Sequence, residues 1–392
     1  MERLVLRGAR LPLAGSEEPY DVAIERGHVV AVAPPGSIAP CPREADLGGL
    51  LLLPGLVNAH DVLEAATLPA TGRPPYGNFY EWLDDSSRQG GAGTAEAMRL
   101  PLKDRLFLGG MRNLLAGVTA VAHHNPDHRS LGREDFPVRV LRKYEFAHSP
   151  GLVPRLRQAY RTTDRRIPWL VRAAAGRDAR ALAELDLLAA ANVLRQNTVI
   201  VHGNALREDD VPRLAAARAC VVWCPEVADR LFGAGAHPPV RALREAGVGL
   251  ALGSASPAEG GRDFLSALRA ARDSGLVEEA TLIDLATAGG AAVARLPVGG
   301  AEEGAPADLL AVASREELLA GARGAVRLVM VAGRALYGDP LLMQGLAGAR
   351  VACEVDGAPR ALARDLGRRL GSLLGPGGTR RPPAQWLEGV ML

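Results

Sequence analysis

From Arg3 to Pro34 short apolar runs alternate with polar positions, first at Leu4 and Leu6 and then at Val22 and Ile24. The second run faces Val29-Val30-Ala31-Val32 across Arg26-Gly27, which predicts a β-hairpin with glycine in its turn. Near the other end Val326–Val331 and Arg334–Tyr337 repeat the device around Ala332-Gly333, after a strand-like run from Ala307 to Val312. Two β-rich ends predict one shared sheet. Between them, apolar runs at Leu51–Val57, Val118–Ala122, Val138–Phe146, Trp169–Ala173, Thr198–Val201, Cys220–Trp223 and Val248–Leu252 alternate with segments of helical spacing, such as Ala179–Asn192 and Asp209–Arg218.

That alternation predicts parallel βα units, and eight of them would close a (β/α)8 TIM barrel with its site at the carboxyl ends of the strands. The length, 392 residues, fits one barrel of about 250 residues plus a small satellite domain. The expected division is 1–50 and 305–360 for the two parts of a small β-sandwich, 51–304 for the barrel and 361–392 for a C-terminal tail. Within the tail, Ala361–Leu374 is predicted as a helix with an arginine-rich outer face, Gly375–Pro383 as a Gly/Pro loop, and Gln385-Trp386-Leu387 as a segment packing back on the body.

Hydrophobic residues at 48% and charged residues at 23% are those of an ordinary globular chain. A net charge of +2 without long single-sign runs gives no reason to expect nucleic acid or a membrane surface as partner. Lys103 and Lys143 are the only lysines, which removes most candidates for lysine chemistry. Cys41, Cys220, Cys224 and Cys353 lack zinc-quartet spacing and are expected as reduced thiols. No apolar leader and no apolar run of membrane length is apparent, so a cytoplasmic address is the default expectation.

The segment Leu53-Pro54-Gly55-Leu56-Val57-Asn58-Ala59-His60 resembles the first-strand signature of the amidohydrolase superfamily, in its cytosine deaminase and chlorohydrolase-like branch. Ala116-Gly117-Val118-Thr119, Val201-His202-Gly203, Trp223-Cys224-Pro225 and Ala246–Gly253 follow in the family's order, so the resemblance covers nearly the whole chain. It implies the TIM barrel, the flanking sandwich, a divalent metal, and hydrolysis or deamination of non-peptide C–N bonds in cyclic amides, amidines and amino-substituted heterocycles.

The same resemblance implies five metal ligands, and most are replaced. Where the family has His-x-His this chain reads His60-Asp61-Val62, and an isopropyl group binds no metal. Where the family has His-x-x-Glu the best match is Arg172-Ala173-Ala174-Ala175, so ligand and proton shuttle are both absent and a fixed positive charge stands in their place. His202 is retained. The late-strand Gly-Thr-Asp reads Gly253-Ser254-Ala255, without the carboxylate that would bind metal and accept a proton. The family's His-Cys-Pro reads Trp223-Cys224-Pro225.

His60 and His202 are therefore candidate ligands of an incomplete metal site, with Asp61, His123 or His124 as substitute donors, or else hydrogen-bonded remnants. Neighbouring strand residues point to opposite faces, so His123 and His124 are not expected to serve one site together. Arg172 either binds an anionic group in the old pocket or forms a structural ion pair with Glu64 or Asp61. The aromatic segment Arg73–Trp82, containing Tyr76, is expected as a lid, a substrate wall, a packed loop or a subunit contact. His148 and His237 are expected as loop or surface residues.

Three functions remain open on these residues. The first is a metal-depleted relative, inactive or feebly active, that binds a small polar or anionic molecule through Arg172, Asp61, Glu64, His123, His124, Trp223 and Tyr76. In the second, an active hydrolase or deaminase holds one zinc or iron on His60 and His202. The third is a structural or regulatory subunit, and self-association into a homo-oligomer is compatible with any of them.

Overall fold

A computed structural model describes residues 3–12, 18–89, 91–375, 382 and 384–392. Its strands run in chain order as β1 (Leu4–Arg10), β2 (Pro19–Glu25), β3 (His28–Ala33), β4 (Glu44–Asp46), β5 (Leu51–Pro54), β6 (Leu56–Asp61), β7 (Val118–His123), β8 (Arg139–Val140), β9 (Glu145–Ala147), β10 (Trp169–Ala173), β11 (Thr198–His202), β12 (Cys220–Trp223), β13 (Gly249–Leu252), β14 (Leu309–Val312), β15 (Val326–Val331), β16 (Arg334–Gly338), β17 (Arg350–Val355), β18 (Ala358–Ala363) and β19 (Val390–Met391).

Both chain ends join one eleven-stranded sheet, ordered β19-β17-β18-β16-β15-β14-β5-β1-β2-β3 with β4 on β1. The two expected hairpins are present: β2 pairs antiparallel with β3 and β15 with β16. Their turns use left-handed backbone at Arg26-Gly27 and Ala332-Gly333, which explains the glycine in each. β5 antiparallel to β14 joins the N-terminal and C-terminal parts of the sheet.

The run at Leu51–Val57, read from sequence as one strand, is cut at Gly55 into β5 of the large sheet and β6 of the inner layer. Gly55 is required because a Cβ there would lie 2.1 Å from Thr119 Oγ1 on β7. The inner layer consists of parallel ladders, β6-β7-β8 and β9-β10-β11-β12-β13, with helices between successive strands. The expected closed barrel appears as these two arcs. The run at Val138–Phe146 is split into β8 and β9, so the ladder breaks there. Across the other seam, Ala255 N donates to His60 O at 3.1 Å.

Side chains alternate along the inner strands. Val171, Ala173, Val221 and Trp223 belong to the large core that also takes in the helices, whereas Leu170, Val222, Cys224, Ala251 and Ala255 line a second core between the arcs. The tail follows this plan with one change: Ala361–Ala363 completes β18, and the helix runs from Arg364 to Leu374. Most of the predicted loop Gly375–Pro383 lies outside the described residues. Trp386 is buried, and its Nε1 donates to Ala66 O at 2.8 Å, so the tail does pack back on the segment after β6.

Candidate functional site

Strand alternation decides which residues meet. On β6, His60 faces the space between the arcs and Asp61 faces the helix Leu102–Leu115. On β7 the inward residue is His124, just past the strand end, and His123 points the other way. His60 Nδ1 lies 3.1 Å from His124 Nδ1, and His124 Nε2 lies 3.0 Å from Ala147 O. A carbonyl only accepts, so His124 Nε2 carries the proton and its Nδ1 accepts from His60 Nδ1. This leaves His60 Nε2 as an unprotonated, buried nitrogen without a hydrogen-bond partner. Burial, reinforced by the neighbouring His124 and Arg172, holds the His60 pKa well below the ordinary imidazole value, so the ring is neutral.

Arg172 on β10 and His202 at the end of β11 complete the inward set, and both meet Glu259. Arg172 Nη2 lies 3.0 Å from Glu259 Oε1, and His202 Nε2 lies 3.6 Å from the same oxygen. Glu259 Oε2 accepts from Ser256 N at 3.1 Å and Ser256 Oγ at 2.6 Å, so its carboxylate is fixed by a capping box on the short helix Pro257–Glu259. Burial by itself would raise the Glu259 pKa. Arg172, and then His202, outweigh it and hold the carboxyl well below the usual range.

The expected partners of Arg172 are thus corrected. Asp61 is 3.0 Å from Arg112 and accepts from Asn113 Nδ2 at 2.6 Å, both on the helix behind β6. Glu64 sits 3.5 Å from His123 Nε2 and accepts from Asn125. Neither reaches Arg172, and Asp61 and His123 are turned away from His60. Trp223 is also directed outward, its Nε1 donating to His237 Nδ1 at 3.2 Å. His148 is exposed, as expected of a loop residue, and its ring stacks on His124 with centroids 6.1 Å apart.

The aromatic segment lies across this cluster. Phe79 carries the Arg172 guanidinium 3.9 Å above its ring centroid, and its ring lies 6.5 Å from that of His202. Tyr76 instead bonds through its hydroxyl to Asp85 and does not reach Arg172. Backbone bonds stitch this region to three places beyond the inner strands: Thr71 N to Ala258 O in the short helix Pro257–Glu259, Tyr76 N to Leu231 O in the helix Pro225–Phe232, and Phe79 N to Ala175 O after β10. As a result His60, His202, Arg172 and Glu259 are all buried.

Three non-glycine residues at the ends of inner strands adopt left-handed backbone: Ala174 (φ 52°), His202 (φ 76°) and Ala255 (φ 50°). Such residues cost about 1–3 kcal/mol each and persist where surrounding bonds over-determine them. Here Ala174 N donates to Glu184, Gly203 N to Ala173 O, and Ala255 N to His60 O. Gly253 is constrained by space, since a Cβ there would come within 2.8 Å of His60 Cβ and 3.1 Å of Cys224 Sγ.

Among the described residues, no group of three or more His, Cys, Asp and Glu side chains is arranged to hold a metal ion. Cys224 adds no thiolate, because burial pushes its pKa far up. The residue missed from sequence is Glu259. Its signal was the Ser256-Pro257-Ala258-Glu259 capping pattern, four positions after Ala255.

The amidohydrolase family model matches residues 170–336, which hold Arg172, His202, Ala255 and Glu259. Over 130 residues the chain is 36% identical to a 5-methylthioadenosine/S-adenosylhomocysteine deaminase of Haloquadratum walsbyi, across 31% of this chain and 29% of that protein. The match to the corresponding deaminase of Pyrococcus abyssi is 26% identical over 170 residues, across 41% of this chain and 40% of that one. The chain thus matches less than half the length of these curated relatives. An adenosine deaminase from Xanthomonas campestris with bound zinc superposes with a TM-score of 0.68 at 21% identity, covering 85% of this chain and 92% of that one. That likeness concerns the fold. The strand-end residues in family order and the family model seated on residues 170–336 support kinship with the amidohydrolase superfamily.

Proposed function

We propose that this protein is a metal-depleted amidohydrolase in which the Arg172–Glu259 pair takes the place of the catalytic cation, and that its interior binds a small polar or anionic molecule. The observation that carries this reading is the 3.0 Å contact between Arg172 Nη2 and Glu259 Oε1, in a buried space shared with His60 and His202. A guanidinium stays charged, so a divalent ion beside it would meet repulsion instead of a vacant ligand position.

The donor set does not fit the family's metal. His60 Nε2 and His202 could offer neutral nitrogens, but the nearby carboxylate is engaged by Arg172, and Val62 and Ala255 supply no donor atom. Asp61 is committed to Arg112. Arg172 Nε and His60 Nε2 are a buried donor and a buried acceptor without partners, a combination suited to a small molecule that offers both.

The finer fold assignment, a closed (β/α)8 barrel over 51–304 flanked by a β-sandwich from 1–50 and 305–360 with a tail at 361–392, belongs to the same proposal. The family likeness and the two parallel arcs support it.

A second reading is favoured by the unprotonated His60 Nε2: an active, metal-dependent hydrolase or deaminase on His60 and His202. The relatives' names make 5-methylthioadenosine and S-adenosylhomocysteine the first substrates to try. Assayed with added zinc, the wild-type chain is expected to release no ammonia from either. Zinc-dependent release abolished by His202→Ala would establish the second reading and overturn the first.

A further inference from the structure

Away from the strand ends, the large sheet carries a double cleft lined chiefly by arginine. One lobe, of about 440 Å³, lies among Arg43, Arg334, Arg364 and Arg368; the other, of about 710 Å³, lies among Arg350, Arg360, Arg364 and Arg368. The lobes share Gly348, Ala349, Arg364 and Arg368, so they form one continuous depression. Asp365 is the one carboxylate in the lining, and it is engaged by Arg334 at 3.2 Å.

The positive charge in this depression is poorly compensated. Arg350, Arg364 and Arg368 are exposed and make no ion pair with any described residue. Arg360 is only 5% exposed, and while its terminal nitrogens reach Asp339 and two carbonyls, its Nε has no partner. A buried guanidinium N–H without an acceptor beside three free guanidinium groups is unfavourable unless an anion supplies acceptors. The helix Arg364–Leu374 also opens on the cleft, and Ala363 before it provides no capping side chain, so its first amides add to the positive potential.

We propose that this double cleft is a binding site for a small molecule carrying two or more phosphate groups. The planar guanidinium fork matches phosphate oxygens in pairs, and with only Arg334 and Arg360 paired to carboxylates, the four remaining arginines call for more negative charge than a single anionic group carries. Each lobe falls in the range of about 300–1,000 Å³ typical of small-molecule sites. Arg364 and Arg368, common to both lobes, would contact adjacent phosphates, and the small Ala347, Ala349 and Ala363 leave room beside them.

The test is calorimetric titration of the whole chain with sodium tripolyphosphate in about 50 mM salt, repeated at about 300 mM to expose the charge dependence. One saturable site is expected, with affinity falling as salt rises. Arg364→Ala/Arg368→Ala is expected to weaken it at least about tenfold, the loss of a charge-assisted contact. Arg350→Ala, an exposed position, is the independent variant if the double one folds poorly. Arg172→Met should leave this binding unchanged, which separates it from the interior site. Absence of binding, or equal binding by the wild type and the Arg364→Ala/Arg368→Ala and Arg350→Ala variants, would overturn the proposal. Orthophosphate or citrate binding as tightly as tripolyphosphate would overturn the assignment to several phosphates, and tight sedimentation with vesicles bearing phosphatidylinositol bisphosphate would overturn the soluble-ligand assignment.

Discussion

Arg172 Nη2 lies 3.0 Å from Glu259 Oε1, and this pair bridges β10 and the short helix that follows β13. Removing one member strands the other charge in a buried site, which costs about 3–5 kcal/mol. Arg172→Met is therefore expected to lower unfolding stability by that amount in a urea titration, and Arg172→Met/Glu259→Gln to be more stable than Arg172→Met alone. Equal stability of wild type and Arg172→Met would show that the pair is not formed.

The segment above the pair is held by Asn78, whose side chain accepts from Tyr80 N and Glu81 N and donates to Asp178 at 2.6 Å. Asn78→Ala removes this helix cap and latch together, at a cost of about 1–2 kcal/mol. Hydrogen exchange should then accelerate at the Tyr76 and Phe79 amides, which bond to Leu231 and Ala175. Unchanged protection would place the hold on this segment elsewhere.

The proton arrangement of the histidine pair can be read by nitrogen-15 NMR. His60 is expected to carry its proton on Nδ1 and to show an unprotonated Nε2, with His124 the reverse, and neither ring should titrate near the ordinary imidazole pKa. Titration of His60 at the ordinary value would contradict its burial between the arcs.

Stability should also depend on pH through Glu226, which accepts from Arg262 N at 3.2 Å. Burial, assisted by the Asp263 charge, raises its pKa from 4.5 to about 8. The folded protein thus binds a proton that the unfolded chain has lost, so this contribution is full below pH 4.5 and disappears as pH rises through about 8. Glu226→Gln is expected to flatten the decline in melting temperature over that window. A decline as steep as that of wild type would assign it to other groups.

Local patterns carried most of the fold in advance. Alternation and Gly-containing turns located both hairpins, and helical spacing between apolar runs located the βα order. The break at Gly55 was not legible, because it depends on how closely β6 approaches Thr119. In the site, period-two alternation separated His124 from His123 correctly, and the same rule applied to Asp61 and Trp223 would have turned both outward. The partner of Arg172 stayed hidden for a different reason. Glu259 is 87 positions away and reaches Arg172 only through the capping box that follows the end of β13, a tertiary relationship with no local sequence period.

Metal content tests the central claim most directly. Protein purified gently without chelator and measured by inductively coupled plasma mass spectrometry should contain zinc and iron well below one equivalent per chain, because Arg172 already supplies the positive charge beside Glu259 and the two retained histidines. About one tightly bound zinc or iron per chain would contradict the account.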